Sequence, residues 1–269
     1  MNRSMMKYVS SKLVKTKVLL QDPALIPYVP RTAGLTHSRL LLMLNRYKMV
    51  YIKPVCGSLG IGVIRVERNG ALYQYREGTR TYTFRTFRQM YVSIQRRIGS
   101  TPYLVQKGIV MLQHRHRPFD FRVMVQRNEK GIWECTGVAA RLAHPKKAVT
   151  NGSQGGTIYA AEEILSKVAD ITKAEKLVKE MKTIGLKTAK QFGASYPNMN
   201  ELGLDIAVDR NLRLWILEVN TRPDPCPFTK LSDATMIETI VKYAKSYGRV
   251  YELKCNKAQK SVPTSNLLI

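Results

Sequence analysis

The chain has 269 residues, of which 44% are apolar and 23% charged, the composition of a globular protein with a sizeable core and not of a disordered or fibrous one. No stretch approaches the roughly 18–20 apolar residues that a membrane span needs, and Lys12, Lys15 and Lys17 break the apolar run near the start before it reaches signal-peptide length, so a cytoplasmic protein is expected. Lys and Arg total 44 against 19 Asp and Glu, and the resulting +25 asks for a polyanionic partner: nucleic acid, anionic membrane, nucleotide phosphates or an acidic protein tail.

In chain order, the spacing predicts a helix over Lys12 to Leu20, ended by Gln21, Asp22 and Pro23, then an irregular stretch to Arg31. Thr36 caps a helix reaching Lys48, with Leu40, Leu41, Leu44 and Tyr47 on one face. Val50 to Ile52 reads as a buried strand leading into Lys53. Residues 61–67 and 71–75 read as a hairpin across Asn69-Gly70. Thr86 to Ile98 has amphipathic helical spacing. Tyr103 to Gln106, Phe119 to Gln126 and Ile132 to Leu142 read as strands of a second sheet, and Ile171 to Phe192 as a long helix. A strand pair over Leu202 to Val208 and Leu212 to Val219 and a helix over Asp233 to Tyr247 complete the reading. Strands and helices in mixed order predict an α+β fold with antiparallel sheets. The four cysteines are widely spaced without metal-site or paired spacing, so reduced thiols are expected. The four histidines have no ligand spacing, and Met43, Met111 and Met124 read as core.

Two segments carry candidate chemistry. In KPVCGSLGIGVIRV, residues 53–66, a strand delivers Lys53 ahead of a turn holding Gly57, Ser58, Gly60 and Gly62. Glycines let backbone N–H groups approach an anion while the ammonium supplies charge. The spacing fits neither a Walker loop nor a dinucleotide fingerprint, and an ordinary Gly-rich hairpin stays open. In LGLDIAVDRNLRLWILEVNTRPD, residues 202–224, Glu218 and Asn220 share a strand face that Asp205 on the partner strand can join. Three hard oxygen donors suit magnesium, which keeps waters and favours phosphate oxygens; a solvent-facing Glu is the alternative. Arg122, inside a strand, needs an anion, either a phosphate or carboxylate substrate or an internal partner such as Asp120.

Taken in order, these segments resemble the ATP-grasp superfamily, in particular its spore-coat-associated YheC/YheD-like branch, over roughly residues 10–247. The resemblance implies two antiparallel α+β subdomains gripping ATP. The organisation is then an N-terminal helix and Pro-rich segment over 1–35, a small subdomain over 36–102, a large one over 103–250 and a basic tail over 251–269. It implies nucleotide contacts for Lys12 and Lys53, for the Gly-rich loop, and for the hinge residues Gln106, Lys107 and Ile109, the last two through backbone groups. Many relatives have Glu where Gln106 stands. Arg122 and Arg141 match cationic positions around the triphosphate or acyl phosphate. Asn151, Gly155 and Gly156 match a loop near the reacting carboxylate, and Asp205, Glu218 and Asn220 match magnesium ligands. Relatives carry a further domain ahead of the first lysine that helps build the acceptor site, and few residues stand there in this sequence.

The implied function is an ATP- and Mg2+-dependent, ADP-forming carboxylate–amine ligase acting through an acyl phosphate. An acidic peptide or protein would be its substrate, spore coat proteins included, at a cytoplasmic, forespore or coat location. The rival readings are a non-catalytic ATP-binding assembly protein of the coat and a small-molecule kinase with a polyanionic substrate. Neither a membrane nor a specific nucleic acid is expected as partner, since no nucleic-acid motif or aromatic stacking platform is evident.

Overall fold

The computed structural model describes residues 8–143, 156–255 and 259–260. Ser11 accepts a hydrogen bond from the Val14 N–H and so starts α1 (Lys12–Leu19). The chain then turns through a 3-10 helix at Ile26–Tyr28 into the short strand β1 (Thr32–Gly34). Thr36 caps α2 (His37–Tyr47) through the Arg39 N–H, and Lys48, in the left-handed region at φ 63°, ends it. There follow β2 (Met49–Pro54), β3 (Ile64–Asn69), β4 (Leu72–Glu77) and β5 (Arg80–Phe84). Next come α3 (Phe87–Ile98), capped by Thr86, and β6 (Tyr103–Lys107). These strands form one six-stranded antiparallel sheet in the order β1-β6-β2-β3-β4-β5.

One expectation is corrected here. Tyr103 to Gln106, read as part of the second sheet, is β6 and lies in the first sheet between β1 and β2. Its partners, Thr32–Gly34 and Met49–Pro54, lie far away in sequence, and local alternation carries no information about them. β1 lies just past the stretch read as irregular to Arg31, and neither β1 nor β5 was anticipated.

The second sheet is built from β7 (Gln113–His114), β8 (Arg117–Arg127), β9 (Trp133–Leu142), β10 (Thr157–Ala160), β11 (Glu201–Val208), β12 (Leu214–Asn220) and β13 (Gln259–Lys260). Its order is β12-β11-β8-β9-β10-β13, with β7 paired to β8, and every pairing is antiparallel except β10 with β13. The short α4 (Ala161–Leu165) leads to α5 (Ile171–Ser195), capped by Asp170, and α6 (Thr235–Ser246) closes the order of helices.

Strand alternation assigns each face its neighbours. In the first sheet Val50, Ile52, Ile64, Val66, Tyr75 and Val105 point to one side and pack on Leu40, Met43, Leu44, Met90 and Ile94 of α2 and α3. The opposite face, carrying Lys53, Tyr51 and Gln106, looks toward the second sheet. There, α5 covers one side of the large sheet. Met181, Ile184 and Phe192 are buried against Val123, Val125 and Leu204, each contributing about 1.5–3 kcal/mol by its removal from water. Gly185 lets the helix sit on β8, since a Cβ there would lie 2.9 Å from the Val125 side chain. On the other side, Ile240 of α6 and Phe228 cover Met124 and Ala139. Met43 and Met124 are core, as expected, whereas Met111 is half-buried beside the small cluster of Ile109, Ala207 and Trp215.

The cysteines supply a second correction. Cys226 and Cys255 form a disulfide, with Cα atoms 5.6 Å apart, while Cys56 and Cys135 remain free. A spacing of 29 residues between isolated cysteines gives no pairing signal in sequence; the pair meets because the chain after α6 folds back across the loop that follows β12. Among the described residues no helix is long and apolar enough to cross a membrane.

Candidate functional site

The cleft between the sheets is lined by Lys12, Lys15 and Thr16 of α1, by Lys53, Leu104 and Gln106 of the small sheet, and by Leu217 and Glu218 of β12. Lys12 and Lys15 are three apart on a helix and therefore neighbours on one face. Their ammonium groups lie 3.7 and 3.5 Å from the same Glu218 Oε1, and Lys12 Nζ also donates to the Gly57 carbonyl at 2.7 Å. Lys53 Nζ donates to Gln106 Oε1 at 2.7 Å, and Gln106 Nε2 donates in turn to Thr32 Oγ1 at 3.2 Å and the Leu217 carbonyl at 3.4 Å. The Gln106 side chain thus fixes the lysine and ties it to the opposite sheet. Burial lowers the pKa of both Lys15 and Lys53, and the Glu218 charge opposes that shift. Two ammonium groups on one carboxylate and a third, that of Lys53, lining the same cleft leave a surplus of positive charge in a desolvated site. A multiply charged anion would stabilise all three.

Behind Glu218 lies a buried ion-pair network. Asp205 is the cross-strand neighbour of Glu218 on one side and of Arg122 on the other. Arg122 Nε donates to Asp205 Oδ1 at 2.9 Å, and Arg141 Nη2 lies 3.1 Å from Oδ2. Arg141 also grips Asp120 with two hydrogen bonds, at 2.8 and 2.7 Å. Burial pushes the Asp205 carboxyl up, but the Arg122 and Arg141 charges outweigh it and hold its pKa below the usual carboxylate range. Burial likewise opposes the Arg141 charge, and Asp120 and Asp205 overcome it. Of the alternatives for Arg122, the internal ion pair is present, with Asp205 and not Asp120 as partner.

The oxygen donors fit a hard cation shared with phosphate. Glu218 and Asn220 stand two apart on β12, on one face; Asn220 Nδ2 donates to the Gly203 carbonyl at 3.3 Å, which leaves its amide oxygen as an acceptor. Each Asp205 oxygen keeps a further lone pair beside its guanidinium. Among the described residues no three His, Cys, Asp or Glu side chains gather as a metal cage. The set therefore suits magnesium that keeps waters and takes phosphate oxygens, and does not suit an all-protein site.

A lysine strand, a Gly-rich turn, a hinge strand and an E-x-N strand, in this order around one cleft, set the site apart from other phosphate folds. The sequence pattern of the YheC/D like ATP-grasp family matches residues 4–250. The chain belongs to that family. It is 27% identical over 215 residues to the endospore coat-associated protein YheD of Bacillus subtilis (strain 168), covering 77% of this chain and 47% of YheD. To the endospore coat-associated protein YheC of the same organism it is 26% identical over 212 residues, covering 76% of this chain and 57% of YheC. The chain thus spans about half the length of these curated relatives. Among solved structures, the ATP-grasp ligase PsnB, complexed with a minimal precursor, Mg and ADP, superposes with a TM-score of 0.51 at 14% identity, over 89% of this chain and 59% of PsnB. The α+β arrangement of antiparallel sheets is the ATP-grasp fold.

Within this ATP-grasp cleft, Gly57, Ser58, Gly60 and Gly62 lie on the turn between β2 and β3, beside Lys12. Gly57, Gly60 and Gly62 have φ of 119°, 72° and 73°, so the turn uses backbone that side-chain-bearing residues seldom adopt. The hinge follows β6. The Lys107 N–H is bonded to the Arg31 carbonyl at 2.8 Å, and its ammonium sits 4.3 Å from the Trp215 ring centroid. That N–H is therefore committed to the fold. Ile109 is buried against Ala207 and Trp215. Gly156 is buried just ahead of β10, whereas Asn151 and Gly155 lie outside the described residues. Lys15 and Asp120 joined the site without having been picked out as site residues. The signal for Lys15 was its position one helical turn after Lys12.

Proposed function

We propose that this ATP-grasp chain binds Mg-ATP between its two sheets and acts as an ADP-forming carboxylate–amine ligase on an acidic peptide or protein in the setting of the spore coat. The observation that carries the reading is the pairing of Lys12 and Lys15 with Glu218, with Lys53 lining the same cleft beside the Gly-rich turn. Polyphosphate would displace the lysines from Glu218, leaving that carboxylate and the Asn220 amide oxygen for magnesium, which supplies charge neutralisation between the phosphates. A substrate carboxylate oxygen attacks the γ-phosphorus, the bond to the β-phosphate oxygen breaks and ADP leaves. An amine then attacks the acyl carbon and expels phosphate, giving an amide. The chain's contribution is positioning and charge: lysines on the phosphates, the Gly-rich turn closing over them, and Gln106 holding Lys53 in place.

The coat-associated relatives support the setting, and the net charge of +25 supports an acidic substrate. Incubation with Mg-ATP and Glu-rich coat peptides is expected to release ADP and raise the peptide mass by condensation. No ADP from any carboxylate pool would sink the ligase reading, and a phosphorylated hydroxyl product would favour a kinase. Glu218→Ala is expected to lower Mg-dependent nucleotide affinity by about 10- to 100-fold, the range seen on losing a metal-site group.

One observation favours a second reading, a nucleotide-binding assembly protein without turnover. Arg122 and Arg141, the cations expected to meet the acyl phosphate, are engaged by Asp205 and Asp120. Tight ATP binding without hydrolysis, with coat assembly unaffected by Glu218→Ala, would select it.

A further inference from the structure

The cleft-facing side of the small sheet carries a row of side chains that runs on from Gln106 beyond the nucleotide site. Antiparallel register sets Gln106 opposite Tyr51, Tyr51 opposite Arg65, Arg65 opposite Arg76, and Arg76 opposite Thr81. Neighbours on these strands, Ile64, Val66 and Tyr75, point into the α2–α3 core, so Arg65 and Arg76 point away from it. They share the face of Gln106, whose side chain reaches the Leu217 carbonyl of the large sheet. Lys53 Nζ lies 5.8 Å from the Tyr51 ring centroid, which makes the arginine row continuous with the phosphate-binding lysine.

Two arginines directly opposite each other repel, with Cβ atoms typically about 5 Å apart. Their available partners do not cancel that cost. Arg65 Nη2 meets Glu67 Oε1 at 2.7 Å, yet its Nε is buried without a hydrogen bond. Arg76 forms no ion pair among the described residues, and its Nε is likewise buried and unbonded. A buried donor left unmade is expensive, and two of them side by side on like-charged groups mark a place for an oxyanion. Beside them Tyr51, whose pKa is raised by burial, keeps its hydroxyl as a donor.

We infer that Arg65 and Arg76 form an oxyanion clamp that binds a carboxylate side chain of an acidic peptide along the cleft-facing side of the small sheet, beyond the nucleotide. Guanidinium forks match carboxylates with paired hydrogen bonds. The inference rests on the proposed function for the class of substrate, and the clamp adds where that substrate is held.

The test uses the full chain, a fluorescent Glu-rich hexapeptide and a fluorescent ADP analogue with Mg2+, compared for wild type, Arg76→Gln, Arg65→Gln/Arg76→Gln and Arg65→Lys/Arg76→Lys. Peptide affinity is expected to fall about tenfold or more in the double Gln variant and to be only partly restored by the Lys pair, because an ammonium lacks the fork. Nucleotide affinity is expected to stay within about twofold, and the melting temperature of Arg76→Gln to equal or exceed wild type, since a like-charge neighbour is gone. Equal peptide affinity in the double Gln variant would overturn the clamp. So would a parallel loss of nucleotide binding, or an Arg-dependent capture of single-stranded DNA in place of the peptide. Failure of the ligase reading separates cleanly: peptide binding that needs both arginines, without ADP release, sustains the clamp alone, while ADP release at unchanged peptide KM in the double Gln variant sustains the ligase alone.

Discussion

Asp205 shows how closely charge is balanced inside the large sheet. Its carboxylate holds Arg122 and helps Asp120 hold Arg141, and removing one partner of a buried pair leaves the other charge uncompensated. Asp205→Asn is therefore expected to destabilise the protein by about 3–5 kcal/mol, read as a fall in denaturation midpoint. Because the folded pKa of Asp205 lies below its unfolded value, its contribution is complete above the ordinary carboxylate range near pH 4 and drains away as pH falls through the folded value. Wild-type stability should drop over that acid window, and the Asn variant should show a shallower drop there. The residues of this site differed in how legible they were. Glu218 and Asn220 could be read because a period of two places them on one face. Lys15 was hidden because a lysine on a short basic helix reads as solvated, and only tertiary contact with β12 buries it. Whether Arg122 paired with substrate or with a carboxylate depended on strand register, which sequence does not supply.

At the scale of elements, helices with capping residues were the most legible. Thr36 and Thr86 mark the starts of α2 and α3, and long apolar periodicity marks α5. Strands that depend on distant partners were less so: β1 has three residues, β5 is largely exposed, and β6 was assigned to the wrong sheet. The hinge beyond β6 depends on backbone proximity. A Cβ at Gly108 would sit 2.6 Å from Met49 Cε and 2.9 Å from the Met49 carbonyl oxygen, which is bonded to the Gly108 N–H. Gly108→Ala is expected to cost about 1–3 kcal/mol of stability, the range for overpacking, and to weaken nucleotide binding by displacing β6 from β2. Thermal melts together with nucleotide titration would check both effects. The loop after β12 is secured differently. Reducing Cys226–Cys255, which closes 29 residues, or replacing both with Ser, is expected to lower stability by about 2–4 kcal/mol, measurable as a lower melting temperature in reductant.

For the whole molecule, the charge of +25 and the fold make separable contributions to binding. Association with a poly-acidic peptide should weaken steeply between low and physiological salt, as exposed charges are screened over about 8–10 Å. On the proposed function, Mg-ADP binding in the desolvated cleft should respond less, and paired titrations at two salt concentrations would separate the two. The sequence conveyed the sign and size of this charge. It could not convey that part of the charge is gathered on the inner faces of two facing sheets, since that follows from how they are set against each other.

The N-terminal segment joins both halves of the cleft. Val9 exchanges two hydrogen bonds with Thr221 just past β12, and α1 packs on α5, so this segment travels with the large sheet. Yet the Lys12 N–H bonds the Val55 carbonyl at 2.8 Å, and its ammonium bonds the Gly57 carbonyl of the small sheet. Besides the chain crossings and the Gln106 bond to the Leu217 carbonyl, Lys12 therefore buttons the two jaws together at the mouth of the cleft. Any widening that admits a nucleotide has to undo that button, and phosphate can then claim the released ammonium. Lys12 would so act as a doorkeeper that sets how fast nucleotide arrives as well as how tightly it stays. Stopped-flow measurement on Lys12→Ala should accordingly show faster association alongside faster release.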